Sequence, residues 1–326
     1  MLDEADVAGL ESAIGKKVTP VQRWFVEDGR EMLESARSKD IALVTYGDPL
    51  MATTHSELRT RAAKNSVKTA VLHGASGIAS IMGECGLHIY KFGRTVTMMS
   101  EPKSALSVYN TIFDNLLASG GAHTLILTEY SSRDDGAGTA FFLEPGQVFK
   151  MLLDVECDQR YRILSEDTFV VVASRVGQDD QRLVCGKMRS LAGVGFGSGP
   201  HSVIVTGKLH FTEEESLEAL TVCLDSPSDN TQGVRRISAQ MVERYAPKAK
   251  EAVEQMRKVL RSGGDGKKGQ DDKGMFEVLD NAEYYIADAE RFLMQGRHEL
   301  AVLSIGYAEG LVDALRFQKG INPWNP

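Results

Sequence analysis

The sequence lacks long apolar runs, an excess of basic charge and closely spaced cysteines. No apolar run in its 326 residues reaches the roughly 18–20 residues that a membrane helix needs, and the acidic start is unlike a signal peptide. The net charge is −8, so the chain as a whole is not expected to bind nucleic acid. Its four cysteines, Cys85, Cys157, Cys185 and Cys223, form no C-x-x-C pair. This spacing offers neither a zinc knuckle nor a disulfide framework, and it favours a reducing, cytoplasmic location.

Motifs of several enzyme classes are also missing. The histidines show neither H-x-x-x-H nor H-E-x-x-H, so no catalytic metal site is expected. There is no G-x-S-x-G and no Walker loop, and the glycine-rich residues 193–199 follow no predicted strand and open no predicted helix. Hydrolase and kinase chemistry are therefore not expected. Group transfer from an already activated donor stays open, because it asks the protein mainly for positioning.

The residues that are present predict a globular protein of several domains. Hydrophobic residues make up 42% and charged residues 25%, and the length exceeds what one ordinary core holds. Four short apolar runs predict buried strands at residues 41–46, 69–72, 124–128 and 169–174, and helices are predicted at 28–38, 54–65, 105–118 and 147–155. The alternation predicts an α/β fold. We expect a first lobe over residues 1–100 and a second lobe, with a mixed sheet, over residues 101–224.

The C-terminal part has a different composition. A polar linker at 225–230 precedes a predicted helical domain over residues 233–326, with helices at 233–261, 275–294 and 298–317. The glycine-rich, charged residues 262–274 predict a flexible loop. The helix at 233–261 carries eight Lys or Arg against three Glu. A nucleic-acid contact would use that imbalance, but a solvated helix face explains it as well and is favoured.

Three polar residues stand where an α/β protein often binds a ligand. Asp48 follows the predicted strand at 41–46, and Ser76 follows the strand at 69–72. Because ligands bind outside the carboxyl ends of parallel strands, both could line one pocket. Helix capping explains Asp48 equally well and is the favoured explanation for Ser76. His201 lies beside glycines and could reach a pocket, although a lone histidine is more often structural.

Several segments resemble the diphthine synthase family. They are GDPLMATTH at residues 47–55, HGAS at 73–76, GLHIYKFG at 86–93, TVT at 95–97, HTL at 123–125 and PHSVIV at 200–205. The resemblance runs in one order over residues 8–222. It implies a two-lobed tetrapyrrole-methylase fold that binds S-adenosylmethionine between its lobes, and it implies a homodimer. The implied reaction methylates the amine of a 3-amino-3-carboxypropyl group on a histidine of elongation factor 2.

Carried over position by position, the resemblance places the cofactor contacts on Asp48, Met51, Ser76, Gly77, Thr128, Val176 and His201. Asp48, Ser76 and His201 are the firmest side chains, because the other contacts can be made through the backbone. With the resemblance in hand, capping is no longer favoured for Asp48 and Ser76. No general base is implied, and neither is the number of methyl groups transferred.

The chain departs from the family pattern at its start. Diphthine synthases begin with a strand that runs into a Gly-Leu-Gly-Leu turn, whereas Ile14 and Gly15 match a segment well inside the pattern. One strand-helix unit, on the order of 30–40 residues, is therefore expected to be missing. A start assigned too late is the preferred explanation over a version that folds poorly.

Two other functions stay open. A non-catalytic methylase-like scaffold could present the helical domain to RNA or to a protein partner. A methylase of porphyrin-like small molecules is disfavoured, because YKFG at residues 90–93 points to the diphthine branch. The C-terminal helices resemble a small archaeal helical domain of uncharacterised function through residues 300–316, and this resemblance implies no chemistry.

Overall fold

A computed structural model describes residues 4–118, 120–131, 141–262 and 270–324. The chain divides into two compact units, Met1–Gln232 and Gly233–Pro326. Within the described ranges, no helix is both long and apolar enough to span a bilayer.

The first unit is built on a six-stranded mixed sheet. The described part of this unit contains eight strands, which are β1 (Val96–Met98), β2 (Thr124–Thr128), β3 (Tyr130–Ser131), β4 (Phe141–Phe142), β5 (Phe169–Ser174), β6 (Arg182–Lys187), β7 (His201–Val205) and β8 (Val222–Cys223). The main sheet has the order β1-β2-β7-β5-β6-β8, and β3 and β4 form a separate antiparallel pair. The β1–β2 and β6–β8 pairs are parallel, and the others are antiparallel. The predicted mixed sheet is confirmed.

Nine helices accompany the strands in the described part of the first unit. They are α1 (Glu4–Ile14), α2 (Arg23–Asp28), α3 (Arg30–Ser35), α4 (His55–Lys64), α5 (Gly77–Glu84), α6 (Pro102–Leu117), α7 (Pro145–Gln159), α8 (Met188–Leu191) and α9 (Phe211–Leu220). Proline opens both α6 and α7, where its missing N–H costs no helical hydrogen bond. In α6, Val108, Ile112 and Leu116 repeat every four residues and are buried, so the sequence pattern becomes one packed face.

A hydrophobic core lies between the sheet and two of the helices. Leu125, Phe169 and Ile204 of the sheet pack with residues of α5 and α9, such as Met82 and Leu217. All six residues of β5 and all five of β7 are buried. This explains why β5, up to its last residue, and the end of β7 are apolar without polar alternation.

Several predicted elements differ from the structure. The helix predicted at 28–38 is shorter in the structure, where α3 spans Arg30–Ser35, because Gly29 adopts a left-handed conformation that separates α3 from α2. Residues 41–46 and 69–72 were predicted as strands and form none. A strand needs a hydrogen-bonded neighbour, and no described strand pairs with either segment. Their apolar side chains are consequently exposed, Leu72 by 90%.

The predicted linker at 225–230 is attached to the sheet. The Asn230 amide donates to the carbonyls of Phe169 (2.7 Å) and Thr206 (2.8 Å), and its oxygen accepts from the Phe169 N–H at 2.9 Å. Asp225 accepts from the Lys187 N–H at 2.8 Å. Side-chain hydrogen bonds therefore extend the first unit beyond residue 224, where the second lobe was predicted to end.

The second unit is a bundle of α10 (Ile237–Ser262), α11 (Gln270–Met294) and α12 (His298–Lys319). Val253, Leu279 and Val312, one from each helix, lie in its core. The first helix begins at Ile237 and not at 233. Of the loop predicted at 262–274, residues 263–269 lie outside the described residues, and 270–274 are helical.

Candidate cofactor and acceptor site

The first candidate loop is held to the second by a pair of side chains. The Asp48 carboxylate accepts from the Leu50 N–H at 2.8 Å, and its other oxygen lies 2.7 Å from His73 Nδ1. Only 9% of the Asp48 side chain is exposed. The Leu50 N–H and the His73 imidazole hold the pKa of Asp48 below its usual value. The carboxylate is thus a fixed negative charge at the meeting point of two loops.

Glycine allows the backbones of these loops to approach each other. A Cβ added at Gly74 would lie 2.7 Å from the carbonyl oxygen of Gly47, a distance that real Cβ atoms do not adopt. Gly47 itself has a φ of 64°, in the left-handed region that favours glycine. The loops therefore present backbone groups at close range, as the binding of a nucleoside requires.

Ser76 and Gly77 lie where this second loop enters α5. Ser76 is the N-cap residue of α5, yet its side chain makes no capping hydrogen bond. The capping explanation thus loses its main support for this residue. Ile78, in the first turn of α5, packs on the same core cluster as Val176. Met51 is exposed, and its N–H donates to the Asp48 carbonyl at 3.3 Å.

A second group of candidates gathers where three strands end. Thr128 closes β2 and its hydroxyl donates to the His201 carbonyl at 2.8 Å. His201 opens β7, and its Nδ1 lies 2.8 Å from the hydroxyl of Ser174 at the end of β5. Because β7 runs antiparallel to both neighbours, its first residue meets their last ones. The sheet topology thus places Thr128, Ser174 and His201 at one edge.

His201 has one ring nitrogen without a hydrogen-bond partner. Its Nε2 is buried and unsatisfied, and the nearest carboxylate oxygen, from Glu144, is 3.7 Å away. Burial lowers the pKa of His201, and the Glu144 charge opposes this shift. An unsatisfied buried nitrogen is costly unless a ligand or water satisfies it. It is the clearest sign of a binding site at this edge.

These features fit a nucleoside-sulfonium cofactor. The Asp48 carboxylate can accept hydrogen bonds from ribose hydroxyls, and the loops at Gly47 and Gly74 can approach a base or sugar closely. His201 Nε2 can form a hydrogen bond with a further polar atom of such a cofactor. In the parts of the chain that the structure describes, no three His, Cys, Asp or Glu residues gather as metal ligands.

Comparison with known proteins agrees with this geometry. The model of the Tetrapyrrole (Corrin/Porphyrin) Methylases family matches residues 8–192. The chain belongs to this methylase family. A second family model, a protein of unknown function (DUF357), matches residues 244–321.

Similar proteins indicate which members of the methylase family the chain resembles. The chain is 36% identical to the "Diphthine synthase" of Methanocaldococcus jannaschii over 214 residues, which cover 65% of this chain and 81% of that protein. It is 33% identical to the "Diphthine methyl ester synthase" of Dictyostelium discoideum, covering 66% and 83%. A crystal structure of diphthine synthase superposes with a TM-score of 0.56 at 28% identity and covers 67% of this chain and 80% of that one. The predicted resemblance and fold are confirmed.

The structure adds residues that sequence patterns did not single out. His73 lies inside a recognised motif, but its contact with Asp48 depends on how two distant loops fold. Ser174 and Glu144 belong to a strand end and a helix start that carry no motif. Their contacts with His201 arise only from the antiparallel order of β5 and β7 and from the position of α7.

Proposed function

We propose that this chain is an S-adenosylmethionine-dependent diphthine synthase that methylates the amine of a 3-amino-3-carboxypropyl-histidine on elongation factor 2. The similarity to diphthine synthases supports the activity and the cofactor, because it covers 65% of this chain and 81% of the Methanocaldococcus protein. The observation that carries the proposal is the unsatisfied Nε2 of His201, at the sheet edge where Thr128 also ends its strand.

S-adenosylmethionine supplies a methyl group on a sulfonium, which needs no further activation. The protein's residues therefore bind and orient. Asp48 and the loop residues Met51, Ser76 and Gly77 would hold the cofactor, and His73 fixes the Asp48 carboxylate.

Thr128, Val176 and His201 would contact the cofactor from the sheet. The Ser174 hydroxyl orients the His201 ring, and which nitrogen carries the proton depends on whether this hydroxyl donates or accepts. Because burial lowers the pKa of His201, the ring is neutral near pH 7 and can offer Nε2 either as a donor or as an acceptor.

The acceptor amine must lose a proton before it can attack. Its pKa in water is about 10, and a partly dry cleft lowers that value by disfavouring the charged form. With a net charge of −8, the protein cannot attract an acidic partner by charge alone. Shape and the modified side chain are thus expected to select the protein substrate.

We further propose a cytoplasmic, archaeal enzyme that acts as a homodimer. All four cysteines are free, and Cys85 and Cys185 are buried, which suits a reducing compartment. The archaeal assignment rests on relatives such as the Methanocaldococcus protein.

Nucleic-acid binding by the basic helix predicted at 233–261 is not favoured. Arg235 pairs with Glu243, Lys250 with Glu290, and Arg257 with two carboxylates of α11. These ion pairs neutralise much of the basic excess and favour a solvated helix face.

Calorimetric titration with S-adenosylmethionine and mass spectrometry of the substrate protein test the function. We expect micromolar cofactor binding and mass increments of one methyl group on elongation factor 2 that carries the 3-amino-3-carboxypropyl group. Unmodified elongation factor 2 is the control. Absence of cofactor binding in the folded chain would favour the alternative, a non-catalytic scaffold.

A further inference from the structure

Two aromatic rings stand beside the candidate cofactor histidine. Tyr130 of β3 and Phe142 of β4 are paired across the small sheet, with ring centroids 4.9 Å apart and planes inclined by 33°. The Phe142 ring lies 6.4 Å from the His201 ring in an edge-to-face arrangement. A Cβ added at Gly199 would overlap the Phe142 ring, so glycine there lets the ring lie against the backbone before His201. Phe142 of this pair is therefore packed beside the candidate cofactor histidine.

A carboxylate also approaches His201. Glu144 directly precedes α7, and its Oε2 is 3.7 Å from His201 Nε2, which is too far for a hydrogen bond. Glu144 and Gln147 form a capping box at the start of α7: the Gln147 side chain accepts from the Glu144 N–H at 3.3 Å, and the Glu144 carboxylate accepts from the Gln147 backbone N–H. The side chain of Glu144 is 53% exposed, so a group arriving from solvent can reach the carboxylate.

Aromatic faces together with a carboxylate are the groups that bind organic cations. Ring quadrupoles attract an ammonium within about 6 Å of the centroid, and quaternary ammonium groups are recognised in this way. A carboxylate adds charge and accepts hydrogen bonds from any N–H that the cation retains. Neutral His201 does not compete for the Glu144 charge.

We propose that Tyr130, Phe142 and Glu144 form the site that holds the substrate nitrogen as a cation, both as the incoming primary ammonium and as the methylated product. This inference rests on the proposed function, because an amine acceptor is what brings a cation to His201. An adjacent carboxylate favours the charged amine and opposes the lowering of the amine pKa that attack requires. The assigned role is therefore to bind the ammonium before it loses its proton and to bind the methylated product after transfer.

The two parts of the site respond differently to methylation. Each methyl group replaces an N–H and removes a hydrogen bond that Glu144 can accept, while the positive charge stays. The aromatic faces need the charge and not the N–H. Glu144 therefore contributes most to a primary ammonium, and the rings contribute most to a trimethylammonium.

Three small probes test this division on the full-length chain: ethanolamine, choline, and 3,3-dimethylbutan-1-ol, the uncharged carbon analogue of choline. Dissociation constants are measured by ligand-observed NMR titration. We expect choline to bind about threefold to thirtyfold more tightly than its uncharged analogue. Equal binding of these two would overturn the inference.

Variants assign the effect to residues. Phe142→Leu should weaken choline more than ethanolamine, and Glu144→Gln should weaken ethanolamine more than choline. Phe141→Leu is the matched control, because the neighbouring strand residue faces the other way and lines a pocket of about 530 Å³ with Leu143 and Met151. If Phe141→Leu weakens choline as much as Phe142→Leu does, the assignment is wrong. Tyr130→Leu replaces Phe142→Leu if the latter does not fold.

Calorimetry with S-adenosylhomocysteine separates this inference from the proposed function. Binding of S-adenosylhomocysteine without a preference for choline would reject the cation site and leave the methyltransferase intact. A preference for choline without binding of S-adenosylhomocysteine would reject the methyltransferase, while the aromatic cation site would stand.

Discussion

Glu213 accepts a hydrogen bond from His123 at 3.1 Å, and neither side chain is exposed. The Gly207 N–H donates to the other ring nitrogen of His123 at 2.8 Å, so the histidine is neutral with its proton on Nε2. Glu213 also accepts from the Lys91 ammonium and from the His88 N–H. This buried carboxylate therefore ties two segments of the family pattern, GLHIYKFG at residues 86–93 and HTL at 123–125, to the start of α9.

Removing the Glu213 charge should destabilise the first unit strongly. Glu213→Gln leaves the Lys91 ammonium partly buried without its counter-charge, which costs about 3 kcal/mol of unfolding free energy. Urea denaturation measures the change. Glu214→Gln, an exposed neighbour on the same helix, is the control and should change the unfolding free energy by less than about 0.5 kcal/mol. Similar losses of unfolding free energy in the two variants would contradict the interpretation that the buried Glu213 charge holds these segments together.

The same carboxylate should make stability depend on acid. Burial alone would raise the pKa of Glu213, but the His123, Lys91 and backbone donors outweigh it and lower the pKa far below the ordinary 4.5. The unfolded chain then binds the proton more readily than the folded one. The contribution is complete above about pH 5.5 and is lost as pH falls below 4.5.

Denaturation of the wild type and of Glu213→Gln at pH 7, 5, 4 and 3 measures the contribution of the Glu213 charge to the unfolding free energy. We expect the stability difference between the two proteins to shrink toward pH 3, because the unfolded wild type then takes up a proton at Glu213 and the variant has no carboxyl group there. Other carboxyls with lowered pKa values, such as Asp180 and Asp225, titrate in both proteins and cancel in the difference. A difference that stays constant with pH would show that folding does not shift the pKa of Glu213.

The sequence predicted the second-lobe strands well and the first-lobe strands poorly, for one physical reason. Residues 124–128 and 169–174 are apolar runs and became β2 and β5, because β7 lies between them and pairs with both. Residues 41–46 and 69–72 have the same apolar pattern but lack a pairing neighbour in the described ranges. An apolar run predicts that a segment can be a strand, and only the rest of the sheet decides whether it is one.

In the candidate site, too, some residues can be predicted from the sequence and others are brought together only by the fold. Asp48, Ser76 and His201 could be proposed from the sequence because they follow or begin strand-like runs within recognisable motifs. Glu144 and Ser174 could not, because their approach to His201 joins residues 57 and 27 positions apart in sequence.

Asp48 should be important for cofactor affinity. Asp48→Asn keeps the shape of the side chain but removes the charge and turns one acceptor into a donor that faces His73. We expect S-adenosylhomocysteine affinity to fall roughly tenfold to hundredfold, as measured by calorimetry. Asp40→Asn, at an exposed position before the loop, should bind normally. Undiminished affinity in a folded Asp48→Asn would reduce Asp48 to a turn-forming residue.

Ser174 should act on the cofactor only through His201. Ser174→Ala removes the hydroxyl that meets Nδ1, so the imidazole loses its fixed tautomer, and we expect S-adenosylhomocysteine affinity to fall about fivefold. The nitrogen-15 chemical shifts of the His201 ring should move toward a mixture of tautomers, which a purely structural role would not cause. Ser202→Ala, the adjacent buried serine on β7, is the control. Unchanged ring shifts in Ser174→Ala would remove the positioning role.

The position of the boundary between the two units predicts which truncations fold. A chain that ends at Gln232 keeps Asn230, whose side chain bonds to Phe169 and Thr206, and should unfold with nearly the stability of the first unit in the full chain. A chain that ends at Leu224 loses these bonds and leaves the buried Phe169 N–H and Thr206 carbonyl without them, at a cost of about 2–4 kcal/mol. Thermal denaturation of both truncated chains, with Asn230→Ala in the full chain as a third sample, measures the effect. Asn230→Ala should reproduce most of the loss, because the amide and not the length of the tail makes the contact. Equal melting temperatures for the two truncations would mean that the first unit ends at residue 224, as the polar linker in the sequence had indicated.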